Sequence, residues 1–185
     1  MTLRHDGLRR LLGRKPLASR SSMRVSVATP SLARRCFSGS RTTSAKNQIY
    51  DAVRRPADFD TYHLLSASSR VPLITLWTAS WCPTCPIVSP ILYSLVESGV
   101  GEAEGGVALC TVEYDSPDVM REGFGQAYVI SSLPTILAFE ETGPRMSTRL
   151  MDPANMTDKE FLAGWIREEA RHVSGGSSLT GWFRM

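Results

Sequence analysis

Three long apolar runs in the chain are typical of strands that are buried on both faces of a sheet. They are rich in β-branched and aromatic residues and cover residues 71–77 (VPLITLW), 107–114 (VALCTVEY) and 133–139 (LPTILAF). Residues 47–54 predict a short edge strand before them. Residues 141–144 predict a hairpin turn, after which residues 146–150 return as an edge strand.

Helical spacing of apolar residues fills the segments between the strands. The clearest stripe predicts a helix that Pro90 would kink. This stripe consists of Ile87, Val88, Ile91, Leu92, Leu95 and Val96. An earlier helix is predicted from Phe59, Tyr62 and Leu65, with Asp58 as its N-cap.

Two further helices are predicted from weaker signals. Residues 115–117 (DSP) turn into a short helix with Val119 and Met120 facing inward. Thr157 and Glu160 form a capping box before the last helix. Its predicted inner face consists of Phe161, Leu162, Trp165 and Ile166. The order β-α-β-α-β-α-β-β-α predicts an α/β fold with a central mixed sheet flanked by helices, with parallel units first and a hairpin last.

The composition is that of an ordinary globular protein. Hydrophobic residues make up 42% of the 185 residues and charged residues 21%, so wholesale disorder is excluded. No uncharged apolar run approaches the roughly 20 residues that a membrane-spanning helix needs. Four cysteines are too few for a disulfide scaffold.

Charge divides the chain into two unequal parts. Residues 1–46 contain nine arginines, two lysines and one acid, Asp6, and therefore carry a net charge of +10. Residues 47–185 contain ten basic and 17 acidic residues and carry a net charge of −7. Since contact with phosphates needs a basic face, no nucleic-acid partner is expected for the acidic part.

The basic segment has the composition of a mitochondrial transit peptide, because it is rich in Arg, Ser and Thr and nearly free of acids. The sequence around Arg35 resembles a matrix-protease site, and residues 37–44 resemble the octapeptide that is removed in a second step. A disordered basic tail and a polybasic membrane-surface arm are the alternatives. We expect a transit peptide at 1–44, one folded domain at 47–173 and a flexible tail at 174–185.

Cys82 and Cys85 carry the candidate chemistry. They follow a buried strand and stand at the start of a helix, where free N–H groups and the helix dipole favour a thiolate at Cys82. Cys85 lies one turn further on and is expected to be shielded from solvent. An exposed nucleophile beside a buried second thiol is the arrangement that dithiol exchange requires.

Spacing alone leaves two other interpretations of the pair open. A C-x-x-C pair can be half of a zinc site, although Cys110 lies in the middle of a strand and the histidines show no paired spacing. The histidines are His5, His63 and His172. The pair could also be a structural pair without redox activity. Cys110 is expected to be an inert buried thiol, and Cys36 falls inside the predicted transit peptide.

The residues around the pair resemble the active site of the thioredoxin family. Residues 81–85 (WCPTC) are similar to the family's Trp-Cys-Gly-Pro-Cys motif. Pro90 falls on the family's helix-kinking proline, residues 133–135 (LPT) on its cis-proline segment, and Gly143 on the glycine of the following hairpin. The resemblance covers about residues 47–172 and implies a thioredoxin fold with a cis-proline. An ordinary trans proline at a strand start is the alternative.

The chain departs from the family's pattern at three places. Leu76 stands where thioredoxins carry a buried Asp, and Thr111 stands where they carry a nearby Lys. That pair helps to move the proton of the second thiol, so its absence implies slower reductase turnover. Pro83 and Thr84 replace Gly-Pro between the cysteines, which alters the stabilisation of the Cys82 thiolate and hence the reduction potential.

The resemblance implies a thiol–disulfide oxidoreductase for protein substrates, in which Cys82 attacks a substrate disulfide and Cys85 resolves the mixed disulfide. The implied docking surface consists of Trp81, Pro83, Thr84, Leu133 and Pro134. No metal or organic cofactor is implied, and the electrons would come from a protein dithiol donor. The mature protein is expected to be a monomer without a membrane span, in the mitochondrial matrix.

Two other functions stay open. Leu76 and Thr111 are compatible with a thioredoxin-fold binding or assembly factor in mitochondria, whose redox chemistry is vestigial. The apolar tail residues Leu179, Trp182 and Phe183 could then dock a partner, unless the tail is simply disordered. The other function is a glutaredoxin-like activity that uses glutathione.

Overall fold

The computed structural model describes residues 46–174, and five strands form one sheet within them. The strands are β1 Gln48–Ile49, β2 Leu73–Thr78, β3 Ala108–Glu113, β4 Thr135–Glu140 and β5 Gly143–Pro144. Their order across the sheet is β1-β3-β2-β4-β5. β1 and β2 run parallel to β3, whereas β4 is antiparallel to β2 and β5 to β4. The predicted α/β class, with parallel units first and a hairpin last, is confirmed.

Six α-helices connect or flank the strands in the described part of the chain. They are α1 Pro56–Ser69, α2 Cys85–Glu97, α3 Pro117–Arg121, α4 Phe124–Ala127, α5 Pro153–Thr157 and α6 Lys159–Ser174. Single 3-10 turns cover Glu102–Glu104 and Met146–Thr148. α2 continues through Pro90 and therefore places both ends of the predicted stripe on one helix.

The two faces of the sheet bury different side chains, because successive residues of a strand point to opposite faces. One face packs against α1, α3 and α4 through an aromatic cluster that includes Phe59, Trp77, Phe124 and Phe139. The other face packs against α2, α5 and α6 through aliphatic residues. These include Ile74, Leu76, Val88, Leu92, Leu109, Ile136, Leu162 and Ile166. The helix α2, which begins at Cys85, therefore packs on the aliphatic face.

Several side chains that the sequence placed in the core are exposed instead. Leu65, Ile87, Met120 and Phe161 are exposed. Of the six residues of the predicted α2 stripe, Val88, Leu92 and Val96 are buried, Ile91 and Leu95 are half-buried against the aliphatic residues, and only Ile87 is exposed. In the third helical region, Gly123 adopts a positive φ of 65° and ends α3, so that Phe124 on α4 takes the inner place expected of Met120.

The sequence also predicts the wrong first residue for two helices, α1 and α6. α1 begins at Pro56, two residues before the predicted cap Asp58, because proline is favoured in the first helical turn. The predicted capping box of Thr157 and Glu160 is wrong, since Thr157 ends α5. Asp158 occupies the position before α6, and its Oδ1 accepts the N–H groups of Glu160 and Phe161 at 2.9 and 3.1 Å.

The strand predicted at 146–150 is absent from the described hairpin. A 3-10 turn covers Met146–Thr148, and only Leu150 pairs with the sheet, through a bridge to Ile136. The predicted transit peptide lies outside the described residues, as does the predicted tail apart from Ser174. Between residues 46 and 174, no helix combines the length and the apolar character needed to cross a membrane.

Candidate active site

The two cysteines of the C-x-x-C motif lie in the connection from β2 to α2 and at the first residue of α2. β2 ends at Thr78, the chain turns through residues 79–84, and α2 begins at Cys85. The sulfurs of Cys82 and Cys85 form a disulfide, with the two Cα atoms 5.6 Å apart. The predicted position of the pair, behind a buried strand and at a helix start, is confirmed.

The start of α2 faces the sulfur of Cys82. Pro86 has no N–H, and the side chain of Thr84 makes no capping hydrogen bond. The N–H of Cys85 donates to the Sγ of Cys82 at 3.2 Å instead. A hydrogen-bond donor and the positive end of the helix dipole at this sulfur stabilise negative charge on it once the disulfide is reduced.

The expected contrast in exposure between the two cysteines is not present in the disulfide form. Cys82 and Cys85 are each 4% exposed. The sulfur of Cys82 accepts the N–H of Cys85 at the start of α2, whereas the neighbouring Trp81 is 67% exposed. The surface around the pair is therefore formed by the flanking residues rather than by the sulfurs.

The other predicted docking residues differ in how far they reach solvent. Pro83 is exposed, Thr84 and Leu133 are half-buried, and Pro134 is buried. The peptide bond between Leu133 and Pro134 is cis, as the sequence predicts. Thr135 of β4 pairs with Trp77 of β2. Pro134 therefore lies at the same end of the sheet as the loop that follows β2 and carries the cysteines.

Leu76 and Thr111 lie side by side beneath this loop. They are register partners on β2 and β3. Leu76 is fully buried in the aliphatic cluster, and the Oγ1 of half-buried Thr111 lies 2.8 Å from the hydroxyl oxygen of Tyr93 on α2. The structure thus pairs the two positions at which the chain departs from the Asp and Lys of the resembled family.

An open groove of about 620 Å³ lies beside Cys85 on the same face of the sheet. It is lined by Thr78 and Thr111 from the sheet and by Cys85 and Ser89 from α2. Sequence reasoning did not predict this groove. The one available signal was the location of these residues at the carboxyl ends of parallel strands, where α/β folds form their binding crevices.

Asp115 also lines this groove and is held by Ser80. Its Oδ2 accepts the N–H of Ser80 at 2.8 Å and the hydroxyl of Ser80 as well. These two bonds hold the pKa of the Asp115 carboxyl below its ordinary value, and the bond from the hydroxyl has the larger effect. The sequence indicated only a turn at this residue.

The segment before Pro134 is held by contacts that the sequence did not indicate. Val129 adopts a φ of 54°, which is rare for a β-branched residue. The Nη1 of Arg149 donates a hydrogen bond to the carbonyl of Val129 at 2.8 Å. The hydroxyl oxygen of Ser131 lies 3.9 Å from the sulfur of Met151. These contacts fix the course of the chain into the cis-proline segment.

The third described cysteine is separate from this site. Cys110 is fully buried on β3, on the face that packs against α1, and burial raises the pKa of its thiol to about 12. It is therefore an inert thiol, as predicted. Within residues 46–174, no group of three or more histidine, cysteine or acidic side chains is placed to hold a metal ion. Cys36 lies outside the described residues.

Comparison with known proteins adds one curated relative. The chain is 30% identical over 124 residues to a protein of Oryza sativa subsp. japonica named thioredoxin M5, chloroplastic. The matched segment spans 66% of this chain and 64% of that protein. No protein-family model matches the chain.

Solved structures of thioredoxins share the fold at low sequence identity. The thioredoxin of Malassezia sympodialis superposes with a TM-score of 0.51 at 14% identity, covering 68% of this chain and 95% of that protein. A thioredoxin of Nicotiana alata gives 0.51 at 14% identity, over 69% and 97% of the two chains. A thioredoxin of Schistosoma mansoni gives 0.50 at 16% identity, over 66% and 99%.

The structural likenesses show the fold, and the curated relative adds sequence similarity over 124 residues. The cysteine pair at the start of α2 and the cis-proline at the start of β4 agree with the resemblance found in the sequence. On these grounds, the described domain has the thioredoxin fold and is similar in sequence to a thioredoxin.

Proposed function

We propose that this protein is a thiol–disulfide oxidoreductase that exchanges disulfides with protein substrates. The observation that carries the proposal is the Cys82–Cys85 disulfide at the N-terminus of α2, where the Cys85 N–H meets the Cys82 sulfur at 3.2 Å. The pair can hold two electrons as a dithiol and release them as a disulfide without any metal or organic cofactor.

The roles of the two cysteines follow from their positions. Cys82 stands ahead of α2, so its thiolate benefits from the helix dipole and attacks the substrate disulfide. Cys85 lies within the first turn and resolves the mixed disulfide, which leaves the substrate reduced and the pair oxidised. A dithiol of another protein then returns the pair to its reduced state.

The proposed docking surface surrounds the pair. Trp81 and Pro83 offer exposed apolar area on one side, with Thr84 beside them. Leu133 and Pro134 lie directly before the start of β4, where an extended substrate segment can add along the backbone. The apolar surface of Trp81 favours unfolded or extended protein segments over small polar disulfides.

Replacement of single cysteines tests these roles. With Cys82→Ser, dithiothreitol should reduce insulin only at the uncatalysed rate. Cys85→Ser should accumulate a covalent mixed disulfide with the substrate, visible by intact mass. Cys110→Ala serves as the matched control and should keep its activity, since Cys110 lies away from the pair. Exchange by Cys82→Ser at the wild-type rate would refute the assignment.

The reduction potential of the pair distinguishes the direction of its use. We would equilibrate the protein in dithiothreitol redox buffers and count alkylated thiols by mass. A two-electron couple near ~−270 mV supports a reductase, and a value of about −200 mV or above supports a glutaredoxin-like or oxidising role. A stable adduct of Cys82 with glutathione would favour the glutaredoxin-like activity. The binding-factor alternative is less favoured, because the two cysteines are positioned to form the disulfide; it predicts no reversible couple.

We also propose that the mature protein acts in mitochondria and that its folded domain covers residues 47–173. The Arg-rich, acid-poor segment 1–44 supports import, and the rice relative is itself named for an organelle. Asn47 supports the boundary, because its side chain bonds the carbonyls of Val96 and Val100 and the N–H of Val107. Protein isolated from mitochondria should begin at Ala45, and an intact Met1 would refute the processing.

A further inference from the structure

The groove beside Cys85 combines hydroxyl groups with direct contact to the resolving cysteine. Ser89 lies one helical turn after Cys85 on α2, and Thr78 and Thr111 border the groove from the ends of β2 and β3. Three hydroxyl-bearing residues from three different elements thus line this groove, and none of the proposed docking residues does. This arrangement gives solvent a second approach to the pair.

Both carboxylates that line this groove, those of Asp115 and Glu113, accept hydrogen bonds from neighbouring side chains. Asp115 is held by two hydrogen bonds from Ser80, which make it a weak proton acceptor. Glu113 accepts two hydrogen bonds from Arg54, each of 2.9 Å. Leu76, at the base of the site, is fully buried and cannot accept a proton.

Thr111 has a fixed orientation in the groove. Its Oγ1 lies 2.8 Å from the hydroxyl oxygen of Tyr93, which is itself half-buried on α2. A hydroxyl held in this way can accept or donate one hydrogen bond toward the groove. Ser89 makes a second hydroxyl available on the same helix as Cys85, so that two groups can orient a water molecule there.

We propose that the thiol of Cys85 loses its proton to a dissolved base that enters this groove, with Ser89 and Thr111 as positioning residues. The inference rests on the proposed function, because it concerns the resolving step of that reaction. The proton leaves without a buried carboxylate, so the chemistry is compatible with Leu76. The rate of resolution then depends on the base that solvent supplies.

The step balances without any further reactant. A base in the groove takes the proton from the Cys85 S–H, and the thiolate attacks the Cys82 sulfur of the mixed disulfide. The Cys82–Cys85 bond forms while the bond from Cys82 to the substrate sulfur breaks. The substrate leaves as a thiolate that takes a proton from solvent, and two electrons have passed from the pair to the substrate.

A stopped-flow experiment with 5,5′-dithiobis(2-nitrobenzoate) separates the two steps. With the reagent below the protein concentration, each molecule releases one coloured thiolate when Cys82 attacks and a second when Cys85 resolves. The second rate is measured at constant pH and ionic strength while the concentration of imidazole is raised. We expect it to increase with imidazole, because a small base reaches Cys85 through the groove.

A matched pair of variants tests the route. Ser89→Phe places a ring in the groove, whereas Ser94→Phe places the same ring at an exposed position of α2 that does not line it. We expect the imidazole dependence to fall about tenfold or more in Ser89→Phe, since a base acts only within hydrogen-bond reach. Ser94→Phe should keep the wild-type dependence. Thr111→Val should shift the pH profile of the second step and leave the first step unchanged.

The outcomes separate this inference from the proposed function. A second rate that does not respond to imidazole in the wild-type protein overturns the groove route, even if both thiolates are released. An equal response in Ser89→Phe and Ser94→Phe overturns it as well. If no second thiolate is released, the proposed oxidoreductase function fails together with the inference.

Discussion

The sheet face that packs against α2 and α6 differs at its two ends in whether charged side chains are buried there. At the end that carries the cysteines, Leu76 is fully buried and its neighbour Thr111 is neutral. At the far end, Glu169 of α6 is also fully buried, and its Oε2 lies 3.1 Å from the Nη1 of Arg145. Arg145 also pairs with Glu140 at 3.2 Å.

The difference separates a functional requirement from a structural one. The charges at the far end tie α6 to the hairpin of β4 and β5, where no proton has to move. The end that carries the cysteines keeps fixed carboxylates out of its core, so that the proton of Cys85 is left to solvent in the groove. A buried ion pair specifies packing more than it adds stability, and it is costly mainly when one partner is lost.

Leu76→Asp breaks the contrast most strongly. It puts a carboxylate into the aliphatic cluster, and we expect the free energy of unfolding to fall by about 4 kcal/mol at pH 7. Leu76→Asn is the matched control, because it has the same shape without the charge. The two variants should converge in urea denaturation as the pH falls toward about 4, where the aspartate is protonated. In folded Leu76→Asp, the second thiolate release should lose its imidazole dependence; persistence of that dependence would contradict the groove route.

Arg145→Met tests the far end. It leaves Glu169 buried without its partner, and we expect a loss of about 3 kcal/mol in the free energy of unfolding, measured by urea denaturation. The matched control is Arg167→Met, which removes an exposed arginine from α6 and should cost much less. Insulin reduction by the folded Arg145→Met protein should match the wild-type rate. A large loss of activity at full folding would show that the two ends are coupled.

Glu169→Gln sharpens the contrast through pH. Burial raises the pKa of Glu169 above its ordinary value of 4.5, and Arg145 opposes that shift. The native protein therefore holds this proton more tightly than the unfolded chain, so its contribution to stability is complete below pH 4.5 and is lost as the pH rises through the native pKa. The wild-type stability minus that of Glu169→Gln should accordingly fall as the pH rises. If this difference in the free energy of unfolding stays constant with pH, the raised pKa of Glu169 is refuted.

Tyr93→Phe is the smallest change at the end that carries the cysteines. It removes the hydroxyl that meets Thr111 at 2.8 Å and should lower the free energy of unfolding by about 1 kcal/mol. The loss of a fixed orientation at Thr111 should alter the pH profile of the resolving step without changing attack by Cys82. Equal profiles for the wild type and Tyr93→Phe, compared by stopped flow, would remove Thr111 from the proton route.

The helix starts and the edge elements show where local pattern stops being informative. Proline at position 56 and Asp158 decide where helices begin, and both compete with equally plausible neighbours. Ile87 and Phe161 continue an apolar stripe but lie beyond the area that the sheet covers. A stripe reports which side of a helix is apolar, whereas its burial depends on what packs against it.

The sequence by itself determined the buried strands, the helix that follows Cys82, and the cis-proline segment at Pro134. Continuous apolar runs, helical spacing and a short motif are local properties, and these elements inherit them directly. Only the tertiary structure decided that Thr78, Ser89 and Thr111 line one groove beside Cys85, and that Glu169 meets Arg145. These residues are far apart in sequence and carry no shared pattern. They meet because the register of β2 and β3 and the packing of α2 and α6 on the sheet bring separate elements together.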